Sequence, residues 1–405
     1  MDISKAAVIG AGTMGGGIGY VISAAGIEVV LKDVDQGQLD LARSHIAGIY
    51  RRSVERGRLT AQEAQAQEAL VRYTLDDAEL GEPDLVVEAV PERLDLKQRV
   101  LDGLNRRCPP HTILASNTSA LSITELGEAS GRPDRLVGLH FFNPAHVMKL
   151  VEVIPGAKTA PAVVQAMLDL ARRLGKTPVA VRECPGFLVN RLLMPYLNEA
   201  VLCLQEGTSA EAIDAALGRE GFGWPMGPLA LMDMLGLDVC HHIIAYLDAE
   251  WGERFSEAPL LRALFEGGWL GKKSGQGFYT YDGGEPGAMS ALVRRLREAG
   301  QVAQTRSTYG VPERTMALLL NEAFLCVEEE IASVDDIDLA CQIGLGMQVR
   351  WEGEHAPMGP LAYADRVGLD TLLARLEDLE AELGRRFRPA AILRAKVQLR
   401  QLFTV

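Results

Sequence analysis

No apolar stretch in the 405-residue sequence reaches the roughly 18 residues that a membrane-spanning helix requires. The best candidate, Leu229 to Cys240, is interrupted by Asp233 and Asp238. Cysteine is scarce: Cys108, Cys184, Cys203, Cys240, Cys326 and Cys341 never approach a C-x-x-C spacing, so a disulfide framework or structural zinc is not expected and the thiols read as packing residues. Positive charge is in deficit, 41 Lys+Arg against 54 Asp+Glu for a net −13. That balance argues against nucleic acid as a partner and requires any polyanionic ligand to meet a local basic patch. No basic segment precedes the strand-like run that begins in MDISKAAVIG, so the expectation is a soluble, cytoplasmic protein with no membrane partner.

What is present points to folded domains. With 48% hydrophobic residues, the length suggests two or three of them, and a disordered or fibrous chain is excluded. Lys5 to Gly10 is a short apolar run, followed by a glycine-rich turn, a helix-like stretch to Ala25 and a second strand-like run, Glu28 to Asp33. This is the strand–helix–strand unit that forces a parallel, right-handed crossover. The Arg- and Gln-rich segment Gln38 to Ala69 has helical composition. Strand-like runs return at Leu85 to Val90, Thr112 to Ala115, Leu136 to Phe142, Leu150 to Ile154 and Pro178 to Val181, with helical segments near 92–107 and 161–174. The expected fold is an α/β Rossmann-type doubly wound sheet over 1–184.

After Pro185 the pattern becomes helical: Phe187 to Gln205, Ala210 to Leu217 and Leu229 to Ala249, with Gly and Pro at the joints. An internal repeat follows. LNEAVLCLQEGTSAEAIDAAL from Leu197 returns as LNEAFLCVEEEIASVDDIDLA from Leu320, and PMGPLALMDMLGLD from Pro225 as PMGPLAYADRVGLD from Pro357. The expected organisation is therefore an all-α domain over 185–280, a linker over 281–305 containing the turn-rich Tyr281 to Gly287, and a degenerate copy of the helical domain over 306–405. Asn190 corresponds to Glu313 in the second copy, which also lacks a counterpart of GKKSGQGFY, so one active site per chain is expected.

Gly10-Ala11-Gly12-Thr13-Met14-Gly15 sits between a strand and a helix, where glycines permit a tight turn and close approach of backbone to a pyrophosphate. Asp33 ends the next strand, placed to accept hydrogen bonds from ribose hydroxyls and to repel a 2′-phosphate; NAD is favoured over NADP, with the neighbouring Lys32 acting the other way. If the runs around 140 and 152 form a hairpin centred near His146, residues whose numbers sum to 292 face each other, His140 and Glu152 among them, as an imidazole oriented by a carboxylate or as a plain structural pair. Ser116-Asn117-Thr118-Ser119 follows a strand end and suits either ligand contact or turn formation. Arg51, Arg52, Arg56 and Arg58 suit a phosphate site or a solvated helix face. His241 and His242, adjacent on a helix, point in different directions and make a poor metal pair; no metal site is expected.

Together, GAGTMGGGI, LVVEAVPERLDLK, ILASNTSALSIT, GLHFFNPAHVMKLVEV, PGFLVNRLLMPYLNEA, PMGPLALMDMLGLD and GWLGKKSGQGFY closely resemble the (S)-3-hydroxyacyl-CoA dehydrogenase family, including bacterial 3-hydroxybutyryl-CoA dehydrogenases, over nearly all of residues 1–280. The resemblance implies His140 as catalytic histidine with Glu152 as its paired glutamate, and Ser119 and Asn190 as contacts to the substrate oxygens. It implies cofactor contacts from Gly10, Gly12, Thr13, Met14, Gly15, Asp33, Glu92, Lys97, Ser119, Asn143 and Lys273. Arg52 and Arg58 lie where relatives contact CoA phosphates, in a loosely matching segment.

The implied reaction is NAD-dependent, reversible oxidation of a 3-hydroxyacyl-CoA, as in β-oxidation and related fatty acid metabolism. His140 would exchange the C3 hydroxyl proton while a hydride passes to the nicotinamide. An acyl-CoA is the expected partner, with either a homodimer or an intrachain pseudo-dimer of helical domains. The competing readings are an NAD enzyme of a non-CoA hydroxy acid or sugar acid, resembling gulonate dehydrogenases, and a noncatalytic NAD-binding protein.

Overall fold

The structure is a computed structural model describing residues 2–282, 285–298, 307–351 and 353–404. Its contacts divide the chain into two units, Met1–Phe187 and Leu188–Val405. In the first, eight strands form one sheet: β1 (Lys5–Ile9), β2 (Glu28–Lys32), β3 (Val71–Thr74), β4 (Leu85–Glu88), β5 (Ile113–Ser116), β6 (Leu136–Phe141), β7 (Leu150–Pro155) and β8 (Thr177–Ala180). Their order is β3-β2-β1-β4-β5-β6-β7-β8, every pairing parallel except β6 with β7. The helices are α1 (Thr13–Ala24), α2 (Gln36–Glu55), α3 (Ala61–Glu68), α4 (Leu94–Arg107), α5 (Ile123–Ser130) and α6 (Pro161–Arg173). Central strands covered on both faces are mostly apolar, which is why AAVI, LVV and LVGLHF read as near-continuous runs rather than alternating ones.

Strand β3 was not anticipated. Its four residues, VRYT, occupy the sheet edge, where a short strand needs little apolar signal. The basic segment is two helices rather than one. Gly57, at φ +66°, turns the chain between them, and Thr60 and Glu63 form a reciprocal cap that starts α3.

The second unit contains α7 (Val189–Gln205), α8 (Ala210–Leu217), α9 (Pro228–Leu235), α10 (Leu237–Trp251), α11 (Pro259–Glu266), α12 (Ala291–Glu298), α13 (Val311–Glu328), α14 (Val334–Gly344), α15 (Pro360–Val367), α16 (Leu369–Leu383) and α17 (Ala391–Leu399). The expected helix Leu229 to Ala249 is two helices meeting at 100°, because Gly236 adopts φ +101°, a region that only glycine enters cheaply. Gly368 takes φ +99° at the matching joint of α15 and α16. Of the turn-rich stretch, Tyr281 and Asp282 lie in β9 (Tyr279–Asp282) and residues 285–287 in β10 (Glu285–Met289), which pairs with β9 antiparallel. Parts of the expected linker, residues 283–284 and 299–305, lie outside the described residues.

Helices α7 and α13 pack together with reciprocal ion pairs. Arg191 donates to Glu322 at 3.1 Å and to Glu329 at 2.8 Å; Arg314 donates to Glu199 at 2.9 Å and to Glu206 at 2.5 Å. Each residue of one set stands 123 positions from its counterpart, so the contact has the self-complementary form of a two-fold interface. An antiparallel pair of β11 (Gln348–Trp351) with β12 (Glu354–Pro357), without a counterpart in the earlier repeat among the described residues, went unanticipated. Its Arg350 amide donates to Phe222 O at 2.8 Å and its guanidinium to Glu220 O at 3.0 Å, fastening it to the α8–α9 loop.

Candidate active site

The carboxyl ends of the parallel strands gather the residues of interest in the first unit. Gly10 follows β1, Asp33 follows β2, Glu92 follows β4 and Ser119 follows β5, while His140 lies near the same end of β6. An open α/β sheet binds ligands along this edge, near the reversal of strand order at β1 and β4.

The β6–β7 register pairs Val137 with Pro155, Gly138 with Ile154, Leu139 with Val153 and His140 with Glu152, the arrangement expected from the sequence. His140 Nδ1 lies 2.7 Å from Glu152 Oε2, and both side chains are buried. A carboxylate can only accept, so Nδ1 carries the hydrogen, and in a neutral ring Nε2 holds the lone pair. Phe142 and Phe187 stand against the imidazole, with ring centroids at 4.5 and 6.0 Å. Phe187, read from sequence as the start of a helix, instead adopts φ +52° ahead of α7, a strained conformation that its burial maintains.

A second network joins Glu92, Lys97 and Ser119. Glu92 Oε1 accepts from the Thr118 hydroxyl at 2.6 Å, the Ser119 amide at 2.8 Å and the Ser119 hydroxyl at 3.1 Å. Its Oε2 lies 3.2 Å from Lys97 Nζ. Burial by itself would raise the Glu92 carboxyl, but the Lys97 charge and the Thr118 and Ser119 hydrogen bonds outweigh it and hold the group below its ordinary range. Lys97 is buried and also bonds Glu88 at 2.8 Å and Val90 O at 3.1 Å. Glu88 accepts in turn from Ser116 at 2.6 Å. Removing one member of so buried a pair leaves the other charge uncompensated, at a cost of about 3–5 kcal/mol.

The glycine turn fits a dinucleotide. A Cβ at Gly15 would lie 1.7 Å from Gly10 O, so only glycine lets α1 start this close to the strand end. A Cβ at Gly12 would meet nothing, leaving its backbone open to a ligand. Beside it is a cleft of about 560 Å³ lined in part by Thr13, Met14, Asp33 and Val90. Asp33 Oδ2 accepts from the Ala11 amide at 2.6 Å and Oδ1 from Val34 N at 2.7 Å, so this carboxylate also ties the turn to the end of β2. Lys32 is paired with Asp77 at 2.7 Å, which offsets its charge next to Asp33.

The other expected residues are placed as follows. Asn143 is exposed in the loop between β6 and β7. Arg52 is exposed in the last turn of α2, and Arg58 in the turn after it. Asn190 and Lys273 belong to the second unit, Asn190 in the first turn of α7 and Lys273 2.5 Å from Asp238. Sequence reasoning missed Glu88, Phe142, Phe187 and Lys176, whose ammonium donates to Ala145 O and Met148 O and so fastens the loop that carries Asn143. Glu88 had left a signal, as a charged residue inside the apolar run LVVEA.

The family model for the 3-hydroxyacyl-CoA dehydrogenase NAD-binding domain matches residues 5–184, and that for the C-terminal domain matches 186–281 and 311–403. The crystal structure of 3-hydroxybutyryl-CoA dehydrogenase from Escherichia coli is similar, with 32% identity, 98% of this chain and 99% of that chain covered, and a TM-score of 0.86. The (S)-3-hydroxybutyryl-CoA dehydrogenase from Ralstonia eutropha shows 37% identity over 69% of this chain and 100% of its own, with a TM-score of 0.66. The dehydrogenase part of multifunctional enzyme 1 from C. elegans shows 27% identity over 98% and 90%, with a TM-score of 0.65. The cofactor is NAD, and the chain belongs to the 3-hydroxyacyl-CoA dehydrogenase family of NAD-dependent oxidoreductases.

Proposed function

We propose that the chain interconverts (S)-3-hydroxyacyl-CoA and 3-ketoacyl-CoA, with His140 as general base in oxidation and general acid in reduction. The observation that carries this reading is the bond between His140 Nδ1 and buried Glu152. It fixes the tautomer in which Nε2 takes the C3 hydroxyl proton, and the carboxylate then stabilises the imidazolium. NAD supplies the hydride acceptor. Ser119 and Asn190 hydrogen-bond the developing carbonyl and thioester oxygens. Asp33 holds the adenine ribose, while Glu92, backed by Lys97, acts with Asn143 and Lys273 on the rest of the cofactor. Arg52 and Arg58 attract the CoA phosphates.

The helical stretches 185–280 and 306–405 are duplicates joined by the 281–305 segment, and the later copy is structural. Support comes from the repeated sequence and from the reciprocal Arg191 and Arg314 ion pairs, whose self-complementary form is that of a contact between like subunits; on this reading the second copy imitates such a pairing within one chain. The enzyme acts in the cytoplasm in fatty acid β-oxidation or a related acyl-CoA route. Steady-state NADH oxidation with short- to long-chain 3-ketoacyl-CoA substrates and a dicarboxylic one tests the reading. Turnover with at least one is expected; turnover with none contradicts it.

A further inference from the structure

His45 and His146 meet on one side of α2. Their ring centroids are 5.7 Å apart, edge to face, and Tyr20 of α1 stands edge-on to His146 at 6.1 Å. His146 Nδ1 is buried, and among the described residues it has no hydrogen-bond partner. On α2, His45, Gly48 and Arg52 follow at the three- and four-residue spacing of one helix face. A Cβ at Gly48 would lie 3.3 Å from an Arg52 guanidinium nitrogen, so that side chain folds back along the helix toward His45. A groove of about 260 Å³ runs from Gly12 and Thr13 along Gly16, Leu41 and Ala42 to His45.

The charges around His146 share one sign. From α2 it meets His45 and Arg52, and from the start of β8 Lys176, whose own field includes Lys149. Tyr20 adds its ring to these surroundings and packs in turn on Tyr50 at 4.7 Å, whose hydroxyl bonds Ser23 at 2.7 Å. Burial first, then the charges of His45, Arg52 and Lys176, push the His146 imidazole below its ordinary range. In a chain of net charge −13, this is a concentrated basic spot with an unused ring nitrogen.

We infer that His45 and His146, with Arg52, form a proton-linked phosphate subsite that takes the nucleotide end of the CoA substrate, its apolar-floored groove receiving the adjoining arm. This rests on the acyl-CoA reading above and adds two residues and a proton requirement to it. A phosphate brought to the spot supplies the missing negative charge, so binding draws protons onto the imidazoles, and affinity rises as pH falls.

Calorimetric titration of the full chain with coenzyme A, under saturating NADH so that the dinucleotide cleft is filled, tests this at pH 8 and pH 6 in buffers of different ionisation enthalpy. The expected result is affinity about ten-fold tighter at pH 6, with net proton uptake. In a His45→Gln/His146→Gln variant both are lost apart from the phosphate's own titration, while Arg52→Gln weakens binding at both pH values. His45→Gln alone, at an exposed position, reduces the uptake even where the double variant folds poorly. Identical uptake and pH dependence in wild type and variants would overturn the inference. Turnover of 3-ketoacyl-CoA with no such linkage rejects this subsite alone, whereas absence of any turnover rejects the acyl-CoA reading beneath it.

Discussion

The Ser119 hydroxyl lies 3.1 Å from Glu92 Oε1, an oxygen that also accepts from the Thr118 hydroxyl and the Ser119 amide. One carboxylate therefore fixes the loop after β5 to the loop after β4, and Lys97 holds that carboxylate from behind. Glu92→Gln removes the charge facing Lys97 and turns one of the two acceptor oxygens into a donor. Hydrogen bonds to a charged group contribute about 1.5–3 kcal/mol, so kcat/KM falls by roughly 10- to 100-fold. Steady-state NADH oxidation measures it; an unchanged value would separate the network from function.

His140→Ala removes the proposed acid–base group, which stands against the Phe142 and Phe187 rings and bonds Glu152. Turnover is expected to fall by a factor on the order of 10² to 10⁴. NADH affinity, read by fluorescence titration, should change little. Near-normal turnover would remove His140 from the mechanism.

Much of this site was legible because strand pairing is arithmetic. Once two runs flank a short loop, the pairing of His140 with Glu152 follows from their equal distance from its centre. The glycine turn and Asp33 were readable for a similar reason, since local spacing sets their geometry. The Phe187 conformation, the Lys176 clamp and the His45–His146 contact depend on packing between distant segments, which spacing does not encode. In the helical unit the repeat was plain in sequence. The break at Gly236 was not, because LMDMLGLDVC keeps an apolar helical pattern across the joint.

Arg314 is buried between Glu199 and Glu206, as Arg191 is between Glu322 and Glu329. Arg314→Met leaves Glu199 with Arg386 but strips part of its compensation. A loss of about 3 kcal/mol is expected, seen as a lower urea midpoint with a similar slope. An unchanged midpoint would mean that the reciprocal pairs contribute nothing to holding α7 and α13 together.

Burial raises the Asp233 carboxyl to about 6, outweighing the Tyr279 and Phe278 amides and the Tyr281 hydroxyl that bond it. Its unfolded value is about 3.9, so between the two values the folded chain binds the extra proton. This contribution to stability is complete below the unfolded value and lost as pH rises through the folded one. Relative to Asp233→Asn, wild type should be about 1 kcal/mol more stable at pH 5 than at pH 7. Asp338 shifts the same way but is common to both proteins. A difference independent of pH between the two would contradict the raised value.

The most direct test of the whole account compares NADH oxidation by the wild-type chain with acetoacetyl-CoA and with free acetoacetate at equal concentration. Rapid turnover of the thioester, with little or none of the free acid, is the predicted result. Preference for the free acid, or turnover of neither, would contradict a 3-hydroxyacyl-CoA dehydrogenase working through His140.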